Sequence, residues 1–293
     1  MIEYDALYEH IKILSKAPRH FKSFNYFEAQ NYIKKILEDN RYIIEEDKFP
    51  YFDENFNKQY GVNIIAKSDE LNKPIILIGA HYDSVINSPG ANDNASGVSV
   101  LLEISKIITP SYVANKDYSI WYVFFDLEEY GMLGSYYLVN SILQKNITVK
   151  YVVILEMIGY TNTKRVITTI PKIYLFKYWK YLYKYLFFKN DFIAIVGNKN
   201  AEGISNIFLQ EFKNKIKVVK YITENNGREF PITRLSDHVH FWDYNIPAIM
   251  ITDTSFIRNE HYHKETDTIE TINLEFLTNI ANGVLNAIKW LFK

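Results

Sequence analysis

The stretch IILIGAHYD, residues 75–83, is an apolar run that ends directly on histidine and aspartate side chains. Two further apolar runs end on glutamate side chains: WYVFFDLEE, residues 121–129, and YVVILE, residues 151–156. A short, continuous apolar run predicts a strand that is buried on both faces. In open α/β sheets, ligands bind beyond the carboxyl ends of the strands. The three runs therefore predict a functional site at one edge of a sheet.

The spacing of apolar residues predicts alternating strands and helices around these runs. The predicted elements are strands at 60–67, 74–80, 119–126 and 150–157, and helices at 95–108 and 132–143. This β-α-β-α-β order predicts a mostly parallel sheet with helices on both faces. The fold class is therefore α/β, a three-layer α/β/α sandwich with a central, mostly parallel mixed β-sheet.

The remainder of the chain predicts helices near both ends and a less regular middle. The predicted elements are helices at 4–15, 27–39, 174–188, 201–212 and 274–292, and strands at 166–170, 216–221 and 246–251. No internal repeat, low-complexity linker or compositional break divides the chain. Residues 1–293 are therefore predicted to form a single domain.

The stretch between Lys172 and Lys189 is rich in tyrosine, lysine and other aromatic residues. Because its aromatic residues recur every three or four positions, it predicts a helix that packs on the sheet while its lysines extend into solvent. A helix that lies on a membrane surface is the alternative.

Composition excludes several classes of function. The 293 residues are 48% apolar, carry a formal net charge of −1 and include no cysteine. No whole-molecule charge favours nucleic acid or an acidic membrane as a partner, and any metal must use nitrogen and oxygen ligands. No signal-peptide core or membrane-spanning run is present, so the expected location is cytoplasmic, or exported if a leader has been removed.

Candidate metal ligands lie just after the first apolar run. His81 and Asp83 have the i, i+2 spacing that places two side chains on one face of an extended segment, so Asp83 can orient the imidazole toward a metal. Asp93 is the single charged residue in the loop PGANDNASG, residues 89–97, whose small residues allow close backbone approach to a ligand. The alternative for Asp93 or Asn94 is an N-cap of the following helix.

Glu128 and Glu129 directly follow the second run. Adjacent carboxylates in a strand point to opposite faces, so a shared site requires the chain to leave the strand there, and Gly131 is consistent with that. One carboxylate is then available to bind metal while the other takes a proton from water, the division of labour in a metal hydrolase. A solvated acidic turn is the alternative.

Taken together, these stretches resemble the M28 family of zinc-dependent peptidases, which includes leucyl-type aminopeptidases and the related glutaminyl cyclases. The resemblance runs in the family's order along most of the chain, and its motifs are GAHYDS at 79–84, NDNASG at 92–97, DLEEYG at 126–131, LEMIG at 155–159, SDH at 236–238 and HYH at 261–263.

The resemblance implies roles for individual residues. Asp93 would bridge two zinc ions, His81 and Glu156 would complete the shell of one ion, and Glu129 and His263 that of the other. Glu128 would be the general base and acid, Asp83 the partner of His81, and Tyr262 a donor to the oxyanion. A cis Asp93–Asn94 peptide is also implied.

Substrate contacts are predicted at three further positions. The resemblance implies that Asp237 forms hydrogen bonds within the pocket and that His238 lines it. Asp253 follows a strand end and is a candidate to meet the amine or carboxylate of a substrate.

Position 156 departs from the family pattern, because the two-zinc aminopeptidases usually carry aspartate there. The extra methylene of Glu156 moves its carboxylate by about a bond length, while zinc–ligand distances tolerate only ~0.2 Å. Two zinc ions are expected, and a single ion held by Asp93, Glu129 and His263 is the alternative.

The function predicted from the sequence is a zinc-dependent aminopeptidase that removes N-terminal residues from peptides. The first alternative is a single-zinc glutaminyl cyclase, which closes an N-terminal glutamine into pyroglutamate. The second is a non-catalytic domain of the same fold, which the metal-competent side chain at every ligand position disfavours. The sequence leaves the preferred N-terminal residue and the oligomeric state open.

Overall fold

A single mixed β-sheet organises the computed structural model, which describes residues 1–53, 55–69 and 73–293. Its eight described strands lie in the order β1-β2-β4-β3-β5-β8-β6-β7. The strands are β1 Ile43–Phe52, β2 Lys58–Lys67, β3 Ile75–His81, β4 Ser119–Phe125, β5 Val149–Glu156, β6 Phe192–Asn198, β7 Lys217–Thr223 and β8 Ala248–Thr252.

The centre of the sheet is parallel. β3 pairs in parallel with both β4 and β5, β5 with β8, and β6 with β7. The pairs β1–β2, β2–β4 and β6–β8 are antiparallel. The carboxyl ends of β4, β3, β5 and β8 therefore share one edge of the sheet, where ligand sites are expected in α/β folds.

Helices cover both faces of the sheet and complete a three-layer sandwich. The α-helices of the described chain are α1 Tyr4–Leu14, α2 Phe24–Asp39, α3 Ser96–Ile107, α4 Pro110–Val113, α5 Leu133–Gln144, α6 Val166–Thr169, α7 Lys172–Lys177, α8 Trp179–Leu182, α9 Glu202–Phe212, α10 His238–Asp243 and α11 Leu274–Leu291. Among the described residues, no helix combines the length and apolar character that crossing a membrane requires.

Two apolar cores lie on opposite faces of the sheet. Ile76 and Ile78 of β3 join the core formed with α1, α2, α3, α9 and α11. Their neighbours Ile75 and Leu77 join the other core, with α5, α10 and the segment 166–186. Successive side chains of a strand point to opposite faces, so a strand between two helical layers must be apolar throughout. The predicted α/β/α architecture is confirmed.

The predictions fail mainly in the middle of the chain. The strand predicted at 166–170 is wrong, because these residues contain the helical turn α6. β-branched residues such as Val166 suit strands, which explains the prediction. The expected helix at 174–188 is broken into α7 and α8. β6, a buried apolar strand, was not predicted. β1 was also missed, because this edge strand carries a run of charged residues, as exposed sheet edges often do.

Candidate metal centre

Strand ends bring the predicted ligands to one place at the sheet edge. His81 is the last residue of β3, and Glu156 is the last residue of β5. Glu129 lies in the turn after β4, and Asp93 precedes α3. His263 comes from the long loop after β8, with a φ of 59°. The ligands thus come from five separate segments of the chain.

The first cluster contains His81, Asp93 and Glu156. The Nε2 atom of His81 lies 3.2 Å from Oδ1 of Asp93 and 3.5 Å from Oε2 of Glu156. All three residues are buried. The imidazole therefore faces two carboxylates in a site that solvent hardly reaches.

The second cluster contains His263, Asp93 and Glu129. The Nε2 atom of His263 lies 3.3 Å from Oδ2 of Asp93 and 2.9 Å from Oε2 of Glu129. The two oxygens of Asp93 therefore face different clusters. A carboxylate in this position is suited to bridging two cations.

The residues present fit zinc. Ligand atoms on a tetrahedral zinc ion at ~2.0–2.2 Å are about 3.3–3.6 Å apart, and three of the four distances given above, 3.2, 3.5 and 3.3 Å, are close to this range, while the distance from His263 to Glu129 is shorter at 2.9 Å. Nε2 of His81 and Oε1 of Glu129 are buried and have no hydrogen-bond partner among the described residues. A buried polar atom without a partner is costly, and a metal ion would satisfy it.

Electrostatics in the second cluster also favour a cation. Burial and the nearby charge of Asp93 raise the pKa of Glu129 to about 7. Burial lowers the pKa of His263, but its contacts with Asp93 and Glu129 outweigh burial and raise it to about 10. Crowded carboxylates of this kind are stabilised by positive charge, which a divalent ion would supply.

Asp83 positions both sides of the site. Its Oδ1 lies 3.4 Å from Nδ1 of His81, as the i, i+2 spacing predicts. Its carboxylate also accepts hydrogen bonds from the backbone N–H groups of Glu128 and Glu129, each at 3.2 Å. Nδ1 of His81 also lies 3.2 Å from the backbone carbonyl oxygen of Asp83, so the carboxylate and the carbonyl of this residue both orient the imidazole, and the carboxylate also fixes the turn that carries both glutamates.

The loop that carries Asp93 is held by groups distant in sequence. The Asp93–Asn94 peptide is cis, as predicted. Asp267 accepts hydrogen bonds from the backbone N–H groups of Asn92 at 3.0 Å and Asp93 at 3.1 Å. The side-chain amide of Asn94 donates to the carbonyl of Leu155 at 2.8 Å. Asn94 therefore ties the loop to β5, and its Oδ1 also accepts a hydrogen bond of 3.1 Å from the backbone N–H of Gly97 in the first turn of α3, which is a capping contact.

Arg19 is a positioning residue that sequence reasoning missed. It is fully buried, and its guanidinium donates to the carbonyl oxygens of Leu14, Tyr82, Pro89 and Gly90. These contacts clamp both ends of the segment between β3 and the loop of Asp93. Arg19 follows Pro18 in an apparent turn, so the sequence offers no signal that its side chain is buried.

Ser236 holds the glutamate that departs from the family pattern. Its hydroxyl donates a hydrogen bond of 2.8 Å to Oε2 of Glu156, the oxygen that faces His81. Ser236 is itself fully buried. The longer side chain of Glu156 is thus fixed in one orientation toward the first cluster.

Glu128 and Tyr262 border the open side of the centre. Both line a cavity together with Asp93 and Glu156. Burial, together with the surrounding carboxylates, raises the pKa of Glu128 well above its usual range. The ring of Tyr262 stacks on that of His263, with centroids 3.7 Å apart. A carboxyl group and a phenol hydroxyl therefore stand at the same opening.

The whole cavity has a volume of about 150 Å³, and away from the metal centre its lining is mostly apolar. It crosses the sheet face over β8, β6 and β7, where Met250, Ala194 and Val219 form its floor. The remaining wall comes largely from aromatic and aliphatic residues, namely Tyr181, Leu182, Tyr185, Phe192, Tyr221, Phe230, Ile232, Phe256 and Ile257. An apolar chamber that opens on a polar centre suits a substrate with an apolar side chain.

The three predicted substrate residues are fully buried and are not among the residues that line this cavity. Asp237 has its pKa raised to about 7 by burial. His238 contacts the carbonyl of Thr233 through Nε2 at 2.8 Å, and burial lowers its pKa to about 3. Asp253 accepts hydrogen bonds from the Asn92 side chain and two backbone N–H groups. Direct substrate contact by these residues stays a prediction.

Sequence comparisons show the family of this chain. The model of peptidase family M28 matches residues 63–288. YfbL of Escherichia coli K12 is 31% identical over 240 residues, which cover 77% of this chain and 70% of YfbL. Aminopeptidase YwaD of Bacillus subtilis is 41% identical over 97 residues, which cover 31% of this chain and 20% of YwaD.

Solved structures share the fold. BSAP, a zinc aminopeptidase from Bacillus subtilis, superposes with a TM-score of 0.73 at 16% identity and covers 100% of this chain and 96% of its own. Glutaminyl cyclase from Porphyromonas gingivalis gives a TM-score of 0.71 at 17% identity, with 99% and 98% covered. At these identities the likeness describes the fold.

Proposed function

The chain belongs to peptidase family M28, and from this premise we propose that it is a zinc-dependent aminopeptidase with two metal ions. The observation that carries the proposal is Asp93, whose two oxygens each face a separate histidine and carboxylate. His81 and Glu156 would hold one ion, and Glu129 and His263 the other. The presence of two ligand clusters favours the two-ion aminopeptidase over the single-zinc cyclase.

Zinc in such a site supplies a Lewis acid that acidifies water and polarises a carbonyl. Glu128 accepts the proton of the attacking water, which its position at the cavity opening allows, and then donates that proton to the leaving amine. Asp83 keeps the turn of Glu128 in place through the backbone N–H of Glu128. The hydroxyl of Tyr262 donates to the oxyanion that develops on the scissile carbonyl.

The apolar cavity would receive the side chain of the N-terminal residue. Its floor on β8, β6 and β7 offers no charged side chain to pair with a polar substrate group. Peptides that begin with leucine, methionine or phenylalanine would bury their first side chain there, whereas a charged first residue would lose its hydration without compensation. We therefore infer a preference for large apolar N-terminal residues.

The proposal is tested by measuring zinc stoichiometry together with products from peptides that begin with leucine or glutamine. Two zinc ions per chain and release of free leucine are expected. One zinc ion and release of ammonia from the glutamine peptide would instead identify a cyclase, and a protein that binds no zinc would contradict both activities.

The role of Glu128 is tested with Glu128→Gln, which keeps the shape of the side chain but removes its basicity. A general base contributes about 10²- to 10⁴-fold to rate, so kcat should fall by that factor while both zinc ions remain bound. Glu275→Gln, at the exposed start of α11, is the matched control and should keep full activity. Near-normal turnover by Glu128→Gln would contradict the mechanism.

A further inference from the structure

The segment 164–190 is strongly basic. It contains Lys164, Arg165 and five further lysines, but no aspartate or glutamate, in a chain whose net charge is −1. All seven cationic side chains are exposed. Positive charge is thus concentrated on one short stretch of the surface.

The same segment has apolar side chains on two faces. The inner face includes Tyr178, Leu182 and Leu186, which are buried in the core that also contains α5 and α10. The outer face carries a second row of apolar residues, which are Ile173, Phe176, Trp179, Tyr183, Phe187 and Phe188. The sequence predicts a single packed row, whereas the structure has one packed row and a second, exposed row.

The outer row is exposed to solvent. Phe176 is 90% exposed, Phe187 65% and Trp179 54%. Single exposed apolar residues are common, but a group of six within sixteen residues marks an interaction surface. The lysines at 172, 177, 180, 184 and 189 lie among these residues. The six apolar residues and five lysines together are called the basic aromatic face.

We propose that the basic aromatic face docks on the surface of a membrane that contains anionic lipid. Aromatic side chains enter the boundary between headgroups and acyl chains, and lysines between them contact anionic headgroups. The absence of acidic residues makes a second copy of this chain a poor occupant, because two such faces would bring like charges together.

This surface and the cavity belong to the same short segment. Tyr181, Leu182 and Tyr185 line the cavity, while Phe176, Trp179 and Lys180 lie on the outer side. A docked protein would therefore hold its cavity close to the lipid surface, although docking itself does not depend on catalytic activity.

Docking is tested by flotation of the full-length protein with vesicles of phosphatidylcholine alone or with 30% phosphatidylserine. Binding to the anionic vesicles should be at least tenfold stronger and should weaken in 0.5 M salt. Each lysine near an anionic surface is worth about fivefold in affinity, so Lys177→Gln with Lys180→Gln should lower binding about 25-fold.

The apolar contribution is tested with Phe176→Ser and Trp179→Ser together, which should lower binding at least tenfold. Phe56→Ser is the matched control, because Phe56 is 86% exposed and follows β1 at the opposite edge of the sheet. It should bind like the wild type. Equal binding of the double variant and the control would overturn the proposal.

Tryptophan fluorescence locates the contact. Trp179 and Trp290 are both about half exposed, at 54% and 49%. Brominated lipids should quench the tryptophan fluorescence of the Trp290→Phe variant as strongly as that of the wild type. In the Trp179→Phe variant this quenching should be lost. Quenching that persists in Trp179→Phe, or a concentration-dependent dimer that the Phe176→Ser and Trp179→Ser double variant abolishes, would reject lipid docking at this face.

Discussion

Replacing Ser236 by alanine should weaken zinc binding at one cluster and leave the other unchanged. The hydroxyl of Ser236 donates to Oε2 of Glu156 at 2.8 Å, and the same oxygen lies 3.5 Å from Nε2 of His81. Without this donor, the glutamate gains freedom to rotate away from the cluster. Because both side chains are buried, water does not easily replace the lost hydrogen bond.

The size of the effect follows from the type of bond. A hydrogen bond to a charged group contributes ~1.5–3 kcal/mol, and loss of a residue that orients a metal ligand typically costs about 10- to 100-fold in metal affinity. We therefore expect the cluster of His81, Asp93 and Glu156 to bind zinc about 10- to 100-fold more weakly in Ser236→Ala.

The assay is a zinc titration in competition with a chromophoric chelator. His81→Ala and His263→Ala serve as references that assign each binding step to a cluster. Ser205→Ala is the matched control, because Ser205 is also buried but donates its hydrogen bond to the carbonyl of Ala201, the residue just before α9. Its two zinc affinities should equal those of the wild type.

A second substitution separates a specific anchor from general loosening. In Glu156→Asp the side chain is one methylene shorter, so its carboxylate lies farther from Ser236. Adding Ser236→Ala to this variant should therefore change the zinc affinity less than about threefold, as expected for a coupled pair. Equal weakening of both clusters by Ser236→Ala, or a full effect in the Glu156→Asp background, would refute the reasoning.

Three further substitutions test the surroundings of the centre. Asp83→Asn should weaken zinc at the His81 cluster by about 10- to 100-fold, and unchanged affinity in the same titration would contradict the orienting role of Asp83. Ala194→Phe should fill part of the cavity floor and lower kcat/KM at least tenfold for peptides that begin with leucine, while alanine peptides change little, as steady-state kinetics would measure. His238 stays neutral in the folded protein down to about pH 3 but is protonated near pH 6.5 when unfolded, so the unfolded state binds more protons below pH 6.5. As the pH decreases, the free energy of unfolding should therefore fall more steeply in the wild type than in His238→Gln, by up to ~1.4 kcal/mol per pH unit. Denaturant titrations of both proteins at several pH values measure the two slopes, and equal slopes would contradict this reasoning.

The elements around the site could be predicted from the sequence because their signals are local. The strands that end on His81 and Glu156 are continuous apolar runs, and a strand between two helical layers has to be apolar on both faces. β1 could not be recognised in this way, because an edge strand exposes one side to solvent and keeps its charged residues. Part of the segment 166–188 was misassigned because its aromatic residues recur every three or four positions, which predicts one helix, whereas the structure forms short helices with apolar side chains both buried and exposed.

By itself, the sequence determined which residue types stand at the strand ends, and therefore the family, the fold class and the candidate ligands. Only the tertiary structure decided that the two oxygens of Asp93 face different clusters. It also decided that Ser236 reaches Glu156 across 80 positions of the chain and that Arg19 lies buried beneath the loop of Asp93. These features depend on contacts between segments distant in sequence, and such contacts leave no periodic pattern in the residues that make them.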